Sequence, residues 1–310
     1  MAKKGALGCS FPVLILIALV TIGLVVVGVI SGPLFKSVHL PFTIEQPEIS
    51  LPAATVFHVL GFPITNSIIA TWVTMAFLVI FSVVATRNMK LVPGRLQSVF
   101  EFMIGSLYNF CRSVAGEENG RKFFPVVATI FLFVIFNAWL SLIPGFGSIA
   151  VVNAEGHHLE LLRGANTDIY TPLAIALVSF ACVEYYGLRA LGIKYLGKFF
   201  SFGQFLRGIG QLLTGKLKAG LGSIFSGFIS IFVGVVELVS ELSRVISFTF
   251  RLFGNMTAGE ILLLMITFLA PFLFSDIFYL LEILVGFVQA LIFAGLTLVF
   301  LTLATAHGQH

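Results

Sequence analysis

The stretch 248-FTFRLFGNMTAGE-260 places an arginine, Arg251, inside an apolar run that extends from residue 223 to residue 270. A guanidinium stays protonated in proteins, so burial cannot remove this charge. A charge at the centre of a membrane costs about 2.5–3.5 kcal/mol or more unless it is compensated. The run is also much longer than the roughly 20 residues that one membrane crossing needs. This stretch therefore predicts an unusual membrane helix and a functional role for Arg251.

The composition of the chain is that of a membrane protein. Of 310 residues, 58% are hydrophobic and only 10% are charged, whereas a soluble domain carries about 25% charged residues. The basic residues lie between apolar runs, so membrane topology explains the pI of 9.0 better than nucleic-acid binding does. The three cysteines are far apart and no GxxxxGK[ST] motif is present. We therefore expect no disulfide framework, no metal, no cofactor and no nucleotide site.

Six apolar runs predict an all-α, polytopic membrane protein with about six membrane helices. They are residues 11–31, 67–86, 124–143, 170–188, 223–270 and 276–306. The first run follows two lysines and is longer than the core of a typical signal peptide. We interpret it as an uncleaved span, with a signal peptide as the alternative.

The basic residues predict the orientation of the chain. Of its 18 Lys and Arg residues, two begin the chain, six lie in 87–123 and six lie in 189–222. The loops 32–66 and 144–169 hold only Lys36 and Arg163, together with five acids. Alternation of sides then requires both termini to be cytoplasmic. The expected organisation is an N-terminal span (1–31), an exterior loop (32–66), three spans with basic cytoplasmic loops (67–222) and a final segment that contains the last two apolar runs (223–310).

The last two runs are too long for upright helices. A helix over residues 223–270 is about 72 Å long, whereas the hydrocarbon core is about 30 Å thick. Only a few residues around Pro271 separate it from the last run. These lengths predict a long, steeply tilted antiparallel hairpin.

Polar residues follow defined faces of this hairpin. At about 100° per residue, one stripe about 80° wide on the first helix contains Glu237, Glu241, Arg244, Arg251 and Asn255. Glu260 lies about 140° from the start of that stripe, and Glu282 and Gln289 share a face of the second helix. Carboxyl groups in apolar surroundings serve in proton relays. The pattern indicates a hydrated path past Glu260, Glu282 and Gln289, and a second acid position at Glu237.

Several residues have two interpretations. Arg251 is either a functional cation or half of an ion pair with Glu260 or Glu237, and Arg244 either serves the function or pairs with Glu241. Asn137 either makes a hydrogen bond between helices or lines a path. His157 and His158 lie near two glutamates, but we expect a solvated loop there instead of a metal site.

Several segments resemble subunit a of the F-type ATP synthase. The clearest are SRVISFTFRLFGNMTAGE and VQALIFAGLTLVFLTLATAH, and MKLVPGRLQSVFE and FLFVIFNAWLSLIPG are similar to other family segments. The resemblance covers about residues 50–306 and is strongest over 237–306. Many family members have a histidine at one of the two positions occupied here by Glu260 and Glu282.

The resemblance implies a proton-conducting stator subunit that is not an enzyme by itself. Arg251 matches the arginine that faces the c-ring carboxylate, with Asn255, Arg244 and Asn137 as supporting polar residues. Glu260, Glu282 and Gln289 match the exterior half-channel, and Glu237 and Glu241 belong to the cytoplasmic one. The implied partners are the c-ring, the peripheral stalk subunit b, the rest of the ATP synthase and the lipid bilayer. We expect a bacterial cytoplasmic membrane and protons as the coupling ion, with sodium left open; a proton-coupled secondary transporter is the alternative function.

Overall fold

The computed structural model describes most of the chain from residue 52 to residue 306. The described residues are 19–23, 26–27, 52–59, 61–87, 89–90, 94–143, 145–147, 149–152, 158–192, 195, 197, 217–269 and 273–306. Only short helical pieces of the predicted first span are among them. The rest of that span, residues 32–51, His157 and most of the loop at 189–222 lie outside the described residues.

Five long helices make up nearly all of the described structure. They are α1 (Asn66–Thr86), α2 (Arg95–Ser141), α3 (Tyr170–Leu191), α4 (Leu217–Leu269) and α5 (Leu273–Ala306). Two short antiparallel hairpins accompany them, β1 (Thr55–Val59) with β2 (Phe62–Thr65) and β3 (Ala150–Val152) with β4 (His158–Glu160). Each of the five helices is long and apolar enough to cross a membrane. The prediction of an all-α, polytopic membrane protein is confirmed.

Helix α2 is broken at Gly116, where φ is 79° and ψ is 174°. The two arms, residues 95–115 and 117–141, double back on each other. The rings of Tyr108 and Phe124 lie 5.2 Å apart, although 16 residues of straight helix would separate them by about 24 Å. The sequence predicts a connecting loop over 87–123, whereas the structure is helical from Arg95 onward. The charged residues of this segment are typical of a loop between spans, but the segment forms a helix, and its Tyr108 ring packs against Phe124 of the second arm.

Helices α4 and α5 correspond to the two long apolar runs. Helix α4 has 53 residues, about 80 Å of helix, and no proline interrupts it. Helix α5 has 34 residues. The ring of Phe248 packs against Phe293 at 4.8 Å, and the Arg244 guanidinium lies 3.6 Å from the Phe300 ring. Because the earlier residue of α4 meets the later residue of α5, the two helices run antiparallel here; their tilt in a membrane stays a prediction.

The chain divides into two compact units. The first unit comprises Met1–Trp72, Ile135–Asp168 and Gly254–Val288. The second unit comprises Val73–Val134, Ile169–Phe253 and Gln289–His310. The core of the second unit includes the fully buried residues Val127, Leu298 and Leu301, and a hydrogen bond of 2.8 Å joins the hydroxyls of Ser179 and Thr297. The first unit contains the polar cavity described below.

Candidate functional site

A polar cavity of about 340 Å³ lies in the first unit. Its walls come from the end of α2, the segment at 162–167, α4 and α5. The polar lining residues are Asn137, Ser141, Arg163, Asn166, Thr167, Glu260, Tyr279 and Glu282. A water molecule occupies about 30 Å³ of liquid volume, and cavities that are roomy and polar hold water. The cavity is therefore large and polar enough for several water molecules.

Arg163 and Glu260 form an ion pair at this cavity. The Arg163 Nε lies 3.2 Å from Glu260 Oε1 and 3.3 Å from Oε2, and Nη2 lies 3.3 Å from Oε2. The Arg163 side chain is only 8% exposed and that of Glu260 is 27% exposed. The Glu260 carboxylate, which the sequence offered as a partner for Arg251, is thus paired with a residue 97 positions earlier.

Glu282 lies in the same cavity in a different environment. Its side chain is buried, and within the described part of the chain no donor is paired with its carboxyl group. Gly259 of α4 lies directly against it, and a methyl group at position 259 would overlap the carboxyl atoms. The close approach of α4 and α5 at this point fixes where Glu282 lies.

Two asparagines present unpartnered polar atoms at the cavity. Asn137 is 3% exposed and Asn166 is 1% exposed. Among the described residues, no hydrogen bond reaches Nδ2 of Asn137 or either amide atom of Asn166. Buried polar groups are almost always hydrogen-bonded, and water is the usual partner when protein supplies none. Asn137 thus lines the polar cavity, and its place in a proton path stays a prediction.

Several contacts hold the walls of the cavity in place. Trp139 Nε1 donates to the Ile283 carbonyl at 3.2 Å, which links α2 to α5. Ser67 Oγ donates to Asp168 Oδ2 at 2.7 Å, and this buried bond ties the segment after Arg163 to the start of α1. Thr167 Oγ1 donates to the Gly164 carbonyl at 2.7 Å within that segment. Arg163 therefore extends from a turn with fixed ends.

Arg251 lies in the second unit and is half-buried. Its guanidinium carbon is 6.0 Å from the centre of the Phe248 ring. Among the residues that the structure describes, no carboxylate forms a salt bridge with it. A compensating charge from elsewhere is therefore required if Arg251 lies within a membrane.

Arg244 has both an ionic and an aromatic partner. Its Nη1 lies 2.6 Å from Glu241 Oε2, and Glu241 is buried. The guanidinium also lies over the Phe300 ring. Arginine stacks well on aromatic faces while it binds a carboxylate. This pair is a fixed part of the second unit.

The remaining predicted residues lie outside the polar cavity. Glu237 is half-buried and Gln289 is buried, both in the second unit. Asn255 is exposed on α4. No group of His, Cys, Asp or Glu that could hold a metal is found among the described residues. The roles of Glu237, Gln289 and Asn255 stay predictions.

Sequence reasoning overlooked Arg163 and Asn166 as site residues. Arg163 counted only toward the charge of an exterior loop, and Asn166 carried no signal. One signal was available for Arg163, because it is the one basic residue in 144–169, a segment that otherwise carries acids. A lone cation on the side where cations are scarce suggests a specific partner.

Comparison with known proteins identifies the family. The model of the ATP synthase A chain family matches residues 68–302. ATP synthase subunit a of Geotalea daltonii is 31% identical over 76% of this chain and 86% of its own length. ATP synthase subunit a 3 of Pelobacter propionicus is 33% identical over 76% and 87%. The corresponding protein of Citrifermentans bemidjiense is 30% identical over 81% and 93%. The chain belongs to the ATP synthase A chain family.

Proposed function

We propose that this chain is the non-catalytic proton-channel subunit of the membrane sector of an F-type ATP synthase. It passes protons through two half-channels to and from a c-ring carboxylate and so couples proton flow to rotation and ATP synthesis. The observation that carries this proposal is the polar cavity, in which two carboxyl groups, a buried arginine and two asparagines meet between apolar helices. Each asparagine has at least one amide atom with no partner among the described residues.

The exterior half-channel comprises Glu260, Glu282 and Gln289, with Asn137 at its wall. Three of these four residues line the polar cavity. Water held by Asn137 and Asn166 would connect the carboxyl groups, since protons move along hydrogen-bonded water and ionisable side chains in membranes mark such routes. Gln289 is buried on α5, seven residues after Glu282 in the sequence.

Arg251 is the stator cation that faces the c-ring. Support comes from its half-buried position and from the lack of a salt-bridged carboxylate among the described residues. A permanent cation attracts a carboxylate from the ring and favours its deprotonated form, so the ring releases its proton there. Asn255, one turn later on the same helix, supports this contact as an exposed polar group.

The cytoplasmic half-channel contains Glu237 and Glu241. The buried Glu241 is neutralised by Arg244, which leaves Glu237 as the half-buried acid toward the cytoplasmic approach. Arg244 keeps Glu241 in one position through its contact with Phe300. In this proposal the chain assembles with the c-ring and the peripheral stalk subunit b in a bacterial cytoplasmic membrane, with both termini in the cytoplasm.

Substitution of Arg251 tests the proposed function. Arg251→Ala in the assembled ATP synthase should abolish ATP synthesis driven by a proton gradient in membrane vesicles. The matched control is Arg189→Ala, an exposed arginine near the end of α3, which should retain the wild-type rate. Wild-type synthesis by Arg251→Ala would contradict the proposal.

A second measurement separates this function from that of a secondary transporter. A transporter works as a single chain, so the purified chain in liposomes would take up a solute when a proton gradient is imposed. We expect no coupled uptake by the chain alone, and proton-driven ATP synthesis only with the complete complex.

A further inference from the structure

The two carboxyl groups of the polar cavity are held differently. Glu260 makes three contacts of 3.2–3.3 Å with the guanidinium of Arg163. Glu282 is buried, lies against the backbone at Gly259 and has no paired donor among the described residues. Among the residues that the structure describes, Glu260 thus has a permanent counter-charge and Glu282 has none.

We propose that the Arg163–Glu260 ion pair is a fixed, charge-neutral element of the polar cavity and that Glu282 is the carboxyl group that takes up and releases the proton. Arg163 is the positioning residue, because it holds the Glu260 carboxylate in the ion pair. The proposal rests on the function proposed above and assigns a role to each side chain within it. Arg163 acts through Glu260 and touches no transported proton itself.

The burial of Arg163 explains why the pair stays intact. Arg163 remains cationic at every accessible pH, and its side chain is 8% exposed. Protonation of Glu260 would remove the carboxylate that the structure places against this buried cation, and taking away one member of a buried ion pair is strongly unfavourable. The segment that carries Arg163 is tied to α1 at Asp168, which restrains the backbone from which the side chain extends.

The pair also sets the electrostatic environment of Glu282. Among the described residues, four titratable or charged groups line the polar cavity: Arg163 from the 162–167 segment, Glu260 from α4, and Tyr279 and Glu282 from α5. Helix α2 contributes only neutral polar groups, Asn137 and Ser141. With Arg163 and Glu260 cancelling each other, the charge of the cavity near neutral pH is set by the protonation of Glu282.

Single and double substitutions test this assignment through the pH dependence of proton conduction. Vesicles that contain the membrane sector without its catalytic sector are assayed for passive conduction while the pH on the exterior side is varied. Glu260→Gln removes one negative charge from the cavity that Arg163 and Glu282 share, and a nearby cation disfavours proton uptake by a carboxylate. The midpoint for conduction should move to lower pH by about one unit, the smaller end of the effect of a nearby charge.

Removal of Arg163 should have the opposite effect. Arg163→Gln leaves two carboxyl groups in one cavity, and a neighbouring negative charge favours proton retention, so the midpoint should move to higher pH by about one unit. The double variant Arg163→Gln/Glu260→Gln removes both charges and should return the midpoint close to the wild-type value. Arg163→Lys keeps the cation and should also stay close to it.

The outcomes separate this inference from the proposed function. Glu282→Gln should stop conduction in every background. If Glu260→Gln stops conduction as completely as Glu282→Gln and the double variant does not restore it, Glu260 carries the proton and the inference fails. A wild-type pH dependence of conduction in Arg163→Gln also overturns the inference.

If Arg163→Gln does not accumulate in the membrane, the double variant still tests the inference, because it removes both charges of the ion pair together. Normal conduction by Glu282→Gln, together with normal synthesis by Arg251→Ala, would instead refute the proposed function.

Discussion

At Gly259 the absence of a side chain decides where Glu282 lies. Position 259 faces α5 at the level of the Glu282 carboxyl, and a methyl group there would occupy the same space as that group. In a helix interior, glycine is otherwise unfavourable by roughly 0.5–1 kcal/mol relative to alanine. A glycine at this position therefore indicates that the approach of the two helices matters more than the stability of α4 alone.

Gly259→Ala should displace the Glu282 carboxyl or separate α4 from α5. Inserting a methyl group into a packed site costs about 1–3 kcal/mol, and a displaced carboxyl no longer lies in the proton path. We expect a strongly reduced rate of proton-driven ATP synthesis by the assembled complex. Gly222→Ala is the matched control, because this exposed glycine of the same helix has nothing within 4 Å of an added methyl group; equal effects of both substitutions would refute the packing argument.

At this scale the sequence identifies polar residues that lie together in the structure, but it does not identify their partners. Glu260, Glu282 and Asn137 stood out as polar residues in apolar runs, and all three line one cavity. The pairing of Arg163 with Glu260 could not be predicted, because the spacing of residues along one helix says nothing about a partner 97 residues away. Asn166 is buried with two unpartnered amide atoms, yet in sequence it resembles any loop asparagine.

The turn inside α2 is the main unexpected feature among the elements. Gly116 adopts φ 79° and ψ 174°, a conformation essentially restricted to glycine. The turn brings residue 120 onto the backbone of Arg112, where an added methyl group would lie 2.9 Å from the Arg112 Cα. Ion pairs from Arg112 to Glu117 and from Lys122 to Glu118 surround this turn.

Gly116→Ala should therefore destabilise the α2 hairpin. Forcing a side chain into this backbone region costs about 1–3 kcal/mol. The expected result is a lower midpoint temperature for loss of the chain from the detergent-solubilised complex. Gly105→Ala lies in the same helix with no neighbour within 4 Å of an added methyl group, and it should leave that temperature unchanged or raise it slightly. A stable Gly116→Ala variant would show that the turn is not set by this residue.

The length of α4 could be predicted, whereas the turn in α2 could not. Between Lys218 and Pro271 no proline interrupts the run, so an unbroken helix was the simplest arrangement, and the structure has one. The sign of φ at a glycine cannot be read from its neighbours, because glycine adopts positive and negative values about equally. The basic residues around Gly116 indicated a connection between spans but not that the connection is itself helical.

For the whole molecule, the charge of Arg251 indicates a partner, since no carboxylate among the described residues compensates it. The ring of Phe248 lies near the Arg251 guanidinium, but no described residue of the second unit forms a salt bridge with Arg251. Ser247, one turn before Arg251 on α4, is exposed. A surface with a cation and an exposed small residue on a helix this apolar suits close packing against another membrane helix.

A photo-crosslinking amino acid placed at Ser247 should therefore capture a c-ring subunit in intact membranes. The same amino acid at Val178 is the control, because this position of α3 is 56% exposed but is not expected to face the ring. Mass spectrometry of the purified adducts identifies the partner. An adduct with the c subunit from position 247 and none from position 178 would place the compensating carboxylate on the ring. The contrary result is capture of lipid alone at position 247 together with a chain that stays stable when purified without other subunits. The charge of Arg251 would then have to be compensated within this chain, and none of the described carboxylates forms a salt bridge with it.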